Sequence, residues 1–362
     1  MGDKTRIAPR RRSPAPRRTL RRMRPYGPPL EGRGEGLRLD FNENTVGAPP
    51  SARKALAGLT AERIAMYPEY ADAKRRLARF FGVSPREIIP TSGTDEALHL
   101  VVDTFADPGD EVLVVEPTYA MYRFYAERAG AKVRSVRYGK DFAFPVTRVL
   151  RALKRGPRIL FVASPNNPTG TVTPPEEIAA LLETAPATLV VVDEAYAEFS
   201  GRSVLGWIRR YPNLAVTRTF SKAQGLAALR LGCLMANAAL MRSLARAHSP
   251  YSVSTAALLA GLAATVDQRP VLRYVEEVRR GKSLLYAALD RLGITAFTSG
   301  ANFVLVDVGR RATKLVADLK RRGILVRDRR SDFGRPGFVR ITVGTTRQTR
   351  ELIRVLEELW PA

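Results

Sequence analysis

From about residue 50 the chain alternates short, nearly unbroken apolar runs with amphipathic stretches of helical period, and nothing else in it restricts the fold as strongly. The runs at 111–116 (EVLVVE), 158–163 (RILFVA), 188–193 (TLVVVD), 215–219 (AVTRT) and 231–236 (LGCLMA) read as buried strands. Between them, 119–130, 174–183 and 204–211 carry apolar residues three to four apart, with proline near a start and glycine past an end, as helices do. This order predicts an α/β domain over 50–265, its mostly parallel sheet flanked by helices. After residue 265 the pattern changes to one long helix over 271–292, followed by strands at 302–307, 324–327 and 338–343. That is the signature of a smaller α+β lobe over 266–362, with 25–49 as an arm leading into the large domain.

Bulk properties narrow the class. With 45% hydrophobic and 26% charged residues and no apolar run long enough to span a bilayer, the chain reads as an ordinary globular protein without a membrane segment. One cysteine, Cys233, rules out an intramolecular disulfide framework, and no apolar leader opens the sequence, so a cytoplasmic location is expected. His99 and His248 stand far apart with no cluster of further ligands, so no metal site is expected.

The formal charge of +24 is partly local, because residues 1–24 hold ten Lys/Arg against the single acid Asp3. Proline and arginine are so dense there (PRRRSPAPRRTLRR) that no apolar face can form, and an unstructured arm is expected. Such an arm can bind polyanions non-specifically. It is too short and too proline-rich to be a winged-helix reader, which disfavours a nucleic-acid regulator. The remaining excess of positive charge can attract small phosphorylated or carboxylated substrates as well as polynucleotides, so charge alone does not decide between them.

In an open α/β sheet ligands gather at the carboxyl ends of the strands. There the chain delivers SPNNPTG at 164–170, DEAY at 193–196 and TFSKAQGLAALR at 219–230. A carboxylate closing an apolar strand, as Asp193 does, needs a partner if buried. Gly93-Thr94-Asp95 opens a helical stretch whose first amides can face an anion.

With NENTVGAPP at 42–50, MYPEY at 66–70, TSGTDEALHL at 91–100, PTYAMY at 117–122, VVDEAYAEF at 191–199, RTFSKAQGLAALRLG at 218–232 and VRITVGT at 339–345, the sequence resembles the class I/II aminotransferases of the pyridoxal-phosphate (PLP) fold-type I superfamily, and within them the histidinol-phosphate aminotransferases. The likeness runs from Tyr26 to the C-terminus. It implies that Lys222 holds PLP as a Schiff base and shuttles the α-proton, that Asp193 pairs with the pyridine nitrogen, that Asn167 and Tyr196 bond the phenolic oxygen, and that Tyr119 stacks on the ring. Gly93, Thr94, Asp95, Thr219, Ser221 and Arg230 are implied for the phosphate and its surroundings, and Tyr67 is implied to reach that phosphate from the second subunit of a homodimer.

The same resemblance implies that Arg340 and Arg327, with Tyr26 and Asn302, hold the phosphate end of the substrate. The implied reaction moves the amino group of L-histidinol phosphate to 2-oxoglutarate. An aromatic amino-acid aminotransferase and a threonine-phosphate decarboxylase share the motif set and are the alternatives. Two positions depart from the family pattern: Gln224 stands where an aromatic follows SKA, and Ala227-Ala228 replaces an Ala-Gly pair.

Overall fold

A computed structural model describes residues 14–23, 25, 27, 33–34 and 36–360. Its strands are β1 (Leu37–Arg38), β2 (Ile88–Thr91), β3 (Glu111–Glu116), β4 (Lys132–Arg137), β5 (Ile159–Ala163), β6 (Leu189–Asp193), β7 (Leu214–Thr219), β8 (Gly232–Ala236), β9 (Thr295–Phe297), β10 (Phe303–Asp307), β11 (Ile324–Leu325), β12 (Arg327–Asp328) and β13 (Phe338–Thr342).

The large sheet has seven strands in the order β2-β8-β7-β6-β5-β3-β4. Its strands β4, β3, β5, β6 and β7 are parallel, while β8 runs antiparallel to both β7 and β2. Strands β5 and β6 are apolar up to the last residue of β6 because both faces are covered. Side chains alternate between two cores: Leu113, Leu160 and Val190 enter one, and Val112, Ile159 and Val191 the other. Parallel neighbours bring the carboxyl ends of β5, β6 and β7 side by side, and the motif loops leave from there.

The smaller lobe is an antiparallel sheet, β12-β13-β10-β9, packed with the helices Arg269–Arg291, Ala312–Arg321 and Thr346–Leu359. The arm joins it, since β1 pairs in parallel with β11 and Leu39 is buried in the lobe's core.

Several elements differ from expectation. The stretch 324–327 is not one strand: β11 pairs with β1 and β12 with β13, and the chain changes partner at Val326. The helix expected over 204–211 is a 3-10 turn, Leu205–Trp207, because Gly206 and Pro212 disfavour a longer helix; its apolar residues fill the core from a turn. The helix expected from 119 begins at Met121, which leaves Tyr119 in the preceding turn. Strands β2 and β4 went unpredicted; β4 (KVRSVR) lies at the sheet edge and is mostly polar, as edges are. Within the arm expected to lack structure, 14–23 carries a 3-10 turn, Leu20–Arg22, and Arg17 donates to the carbonyl of Arg128.

Candidate active site

Asp193, the last residue of β6, forms the floor of the cleft and is buried. Its carboxylate accepts from Tyr122 Oη (2.7 Å), Thr217 Oγ1 (2.8 Å) and the backbone N–H of Ala195 (3.2 Å). Burial pushes its pKa up, and the three donors pull against that shift. Tyr122 is itself fully buried and stacked on Phe161, so the contact is rigid. Neither Tyr122 nor Thr217 was singled out from the sequence, although PTYAMY places Tyr122 one helical turn from Tyr119.

Lys222 follows β7. Its Nζ donates to the backbone carbonyl of Phe41 (3.0 Å) and lies 5.9 Å from the centre of the Tyr196 ring. Burial, with the nearby charge of Arg340, pushes its pKa down to about 8, opposed by Glu43. A depressed pKa leaves more free amine for bonding a carbonyl carbon near neutral pH.

On one flank, the helix Gly93–Phe105 starts at Gly93 with φ +73°. A Cβ at Gly93 would come within 2.5 Å of Arg230 Nη2, so glycine, which also suits the positive φ, leaves the guanidinium in place across this helix start. Arg230 holds the left-handed conformation, φ 55°, uncommon for a side-chain-bearing residue and frequent at ligand clamps. It pairs with Asp95 (3.0 Å), which also accepts from Tyr119 Oη (2.7 Å). Ser221 is buried near the Arg230 fork (3.5 Å), and Thr219 Oγ1 accepts from the Ser221 amide (3.0 Å). Thr94 is the second residue of the helix.

The other flank comes from the small lobe and the arm. Arg340 on β13 is buried; Nη1 donates to Asn167 Oδ1 (2.6 Å) and Nη2 to the carbonyl of Asp40. Arg327 faces it from β12 as its Cα partner. Tyr196 Oη accepts from Asn42 Nδ2 (2.9 Å), and its pKa is raised by burial. Asn302 is buried at the start of β10 and donates to the Asn42 carbonyl (3.1 Å). Three successive carbonyls, those of residues 40, 41 and 42, thus accept from Arg340, Lys222 and Asn302. That strap went unnoticed in the sequence, because backbone acceptors leave no residue-type signal.

Lys222, Asp193, Asn167, Tyr196 and Arg340 are therefore brought together at one cleft between the lobes, with Tyr119, Gly93, Thr94, Asp95, Thr219, Ser221, Arg230 and Arg327 at its edges. Tyr67 lies apart, on the surface and 76% exposed. Tyr26 lies outside the described residues. Gln224 is buried and donates to Glu198 (3.3 Å), so it contributes a polar contact where the family pattern has an aromatic.

The residues suit PLP: a buried carboxylate on the floor, an amine with lowered pKa, a glycine-opened helix start beside a charged fork, and Arg340 Nε buried without a hydrogen-bond partner. Comparison with known proteins agrees. The family model for aminotransferase class I and II matches residues 35–356. The chain is 40% identical to the histidinol-phosphate aminotransferase of Symbiobacterium thermophilum, over 94% of this chain and 97% of that one. It is 36% identical to that of Bacillus velezensis, over 94% and 98%. The solved histidinol-phosphate aminotransferase of Sinorhizobium meliloti in complex with pyridoxal-5'-phosphate superposes with a TM-score of 0.84 at 26% identity, covering 98% of this chain and 99% of that one. The chain belongs to the PLP-dependent class I and II aminotransferase family.

Proposed function

We propose that the protein transfers the amino group of L-histidinol phosphate to 2-oxoglutarate, forming imidazole acetol phosphate and L-glutamate. The observation that carries this reading is the pair Arg327–Arg340, set across β12 and β13 beside Asn167 and the lysine cleft, in a chain whose relatives bear that name. Paired guanidiniums match a phosphate monoester, which asks for several charge-assisted donors. Tyr26 and Asn302 would support the same end of the substrate.

PLP, when bound, supplies an electron sink for the carbon that loses its proton. The chain's own residues do the rest. Asp193, fixed by Tyr122 and Thr217, would accept from the pyridine nitrogen and keep it positively charged. Asn167 and Tyr196 would serve the phenolic oxygen, and Tyr119 would cover the ring. Gly93, Thr94 and Asp95 at the helix start, with Thr219, Ser221 and Arg230, would hold or frame the cofactor phosphate. Lys222 Nζ would take the proton from the donor's α-carbon and deliver it to the carbon that was the cofactor's aldehyde; the reverse sequence on 2-oxoglutarate would complete a ping-pong cycle.

Tyr67 would reach the cofactor phosphate of a second subunit. Its ring packs on Tyr251 (4.6 Å between centroids) beside the exposed Ile64 and Met66, an apolar patch suited to a homodimer contact. No helix among the described residues is long and apolar enough to cross a membrane. The buried thiol of Cys233 suits a cytoplasmic enzyme.

The test is incubation of PLP-loaded protein with histidinol phosphate and 2-oxoglutarate while glutamate is followed, with phenylalanine and tyrosine as competing donors. Glutamate formation from the phosphorylated donor is expected. Turnover of the aromatic acids alone would replace this reading.

A further inference from the structure

The β12–β13 ladder carries a third guanidinium, Arg329, beside those of Arg327 and Arg340. Arg327 pairs with Arg340 and Asp328 with Val339, and the Arg329 amide donates to the Phe338 carbonyl (3.0 Å), which continues the register by one residue. Side chains alternate along a strand, so Arg327, Arg329 and Arg340 share one face of this ribbon. Arg329 is not a solvated charge: its side chain is only 12% exposed. Its charge bears on the site: burial lowers the Arg340 pKa, Arg329 is the largest charge adding to that shift, and Arg329 also acts on Tyr196.

A carboxylate among the described residues pairs with this group. Asp332, on the turn Arg330–Phe333, makes an ion pair with Arg329 and is itself only 15% exposed. Burial raises the Asp332 pKa, and the charges of Arg329, Arg340 and Arg327 pull against that shift. Among the described residues, Arg327, Arg329 and Arg340 converge on the Asp332 carboxylate, a surplus of positive charge that suits a phosphate monoester dianion. Arg340 Nε is also a buried donor without a partner at this place.

Building on the histidinol-phosphate reading, we infer that Arg329 is a specificity-determining residue that contacts the phosphate of the donor, and that Asp332 is its resident counter-ion, which shares Arg329 when the site is empty and gives it up to the incoming dianion. A carboxylate that competes for the same guanidinium weakens phosphate binding, so the two residues act with opposite sign. A merely structural ion pair would act with one sign, since loss of either partner would loosen the loop.

The experiment is steady-state kinetics on the PLP-loaded wild type and on R329Q, R329K and D332N, with inorganic phosphate as a competing inhibitor. For R329Q the KM for histidinol phosphate should rise about tenfold, with the phosphate inhibition constant rising in parallel. Its kcat should fall far less than the donor KM rises, and the KM for 2-oxoglutarate, whose carboxylates each bear a single charge, should move less. R329K should recover part of the loss. D332N should lower both the donor KM and the phosphate inhibition constant. An unchanged donor KM in R329Q, or a D332N that weakens binding as R329Q does, would overturn the inference. If R329Q fails to fold, the sign of the D332N effect decides. A wild type inactive on the phosphorylated donor would instead end the functional reading before any variant is compared.

Discussion

Lys222 and Asp193 divide the chemistry of the site between an amine held below its usual pKa and a carboxyl held above it, and burial is the larger cause of both shifts. For Lys222 this has a kinetic consequence. Uptake of PLP by the apoprotein should quicken with pH as the ammonium loses its proton, then level off above about 8. Absorbance traces whose rates kept climbing past pH 10 would show an unperturbed amine. For Asp193 the consequence is dependence on Tyr122. Replacing Tyr122 with Phe removes one of three donors to a buried carboxylate, a loss of about 1.5–3 kcal/mol for a charged partner. The Y122F apoprotein should bind PLP about tenfold or more weakly by equilibrium dialysis. An unchanged dissociation constant would mean that Thr217 and the Ala195 amide suffice.

Among the elements, the strap at residues 40–43 ties the arm to the cleft, and Arg33 holds the strap. Its guanidinium pairs with Asp40 (2.9 Å) and Glu43 (2.7 Å) and lies 4.1 Å from the centre of the Phe41 ring, whose other cationic neighbour is Arg327. Asp40 is largely buried, so R33A would leave its carboxylate without this partner. A loss of about 1–3 kcal/mol in urea unfolding is expected, less than for a fully buried pair because Glu43 keeps some exposure. The kcat should drop as well, since the carbonyls that position Lys222 and Arg340 loosen; R33K should recover part of both. A variant as stable and as fast as the wild type would show that the strap stands without Arg33.

The same scale shows what was legible in the sequence. Apolar strands with both faces covered, such as β5 and β6, were readable because their burial writes a continuous hydrophobic run, and the residues they deliver followed by position. Polar β4 was not readable, nor was the split at Val326, because each depends on which neighbour the strand meets. Lys222, Asp193 and Arg340 could be singled out as charged residues at strand ends or in motifs. The carbonyls of 40–42 could not, and Tyr122 was hidden inside a helix that otherwise reads as core packing.

At the scale of the whole molecule, both lobes and the arm contribute to one cleft, and a second subunit would complete it. Dimerisation through the Tyr67 patch predicts a sedimentation coefficient for two chains of 40.0 kDa each. It also predicts that Y67F weakens PLP binding severalfold without changing assembly, because a single hydrogen bond to the phosphate would be lost. Fully active monomers would remove this part of the reading.

Among the described residues burial lowers the pKa of three lysines, Lys74, Lys222 and Lys282, and brings the last two to about 8. Only Lys222 stands at a strand end among the groups that PLP requires. Lys282 lies on the helix Arg269–Arg291 and donates to the Ser299 carbonyl (2.8 Å). Depressed basicity alone would mark both; placement at the cleft marks one. Borohydride reduction of the PLP-loaded protein, followed by peptide mass mapping, separates them. The cofactor mass should appear on Lys222 alone and vanish in K222A. Label on Lys282, or a K222A protein that still fixes the cofactor at one site and turns over, would mean that the cleft has been assigned to the wrong amine.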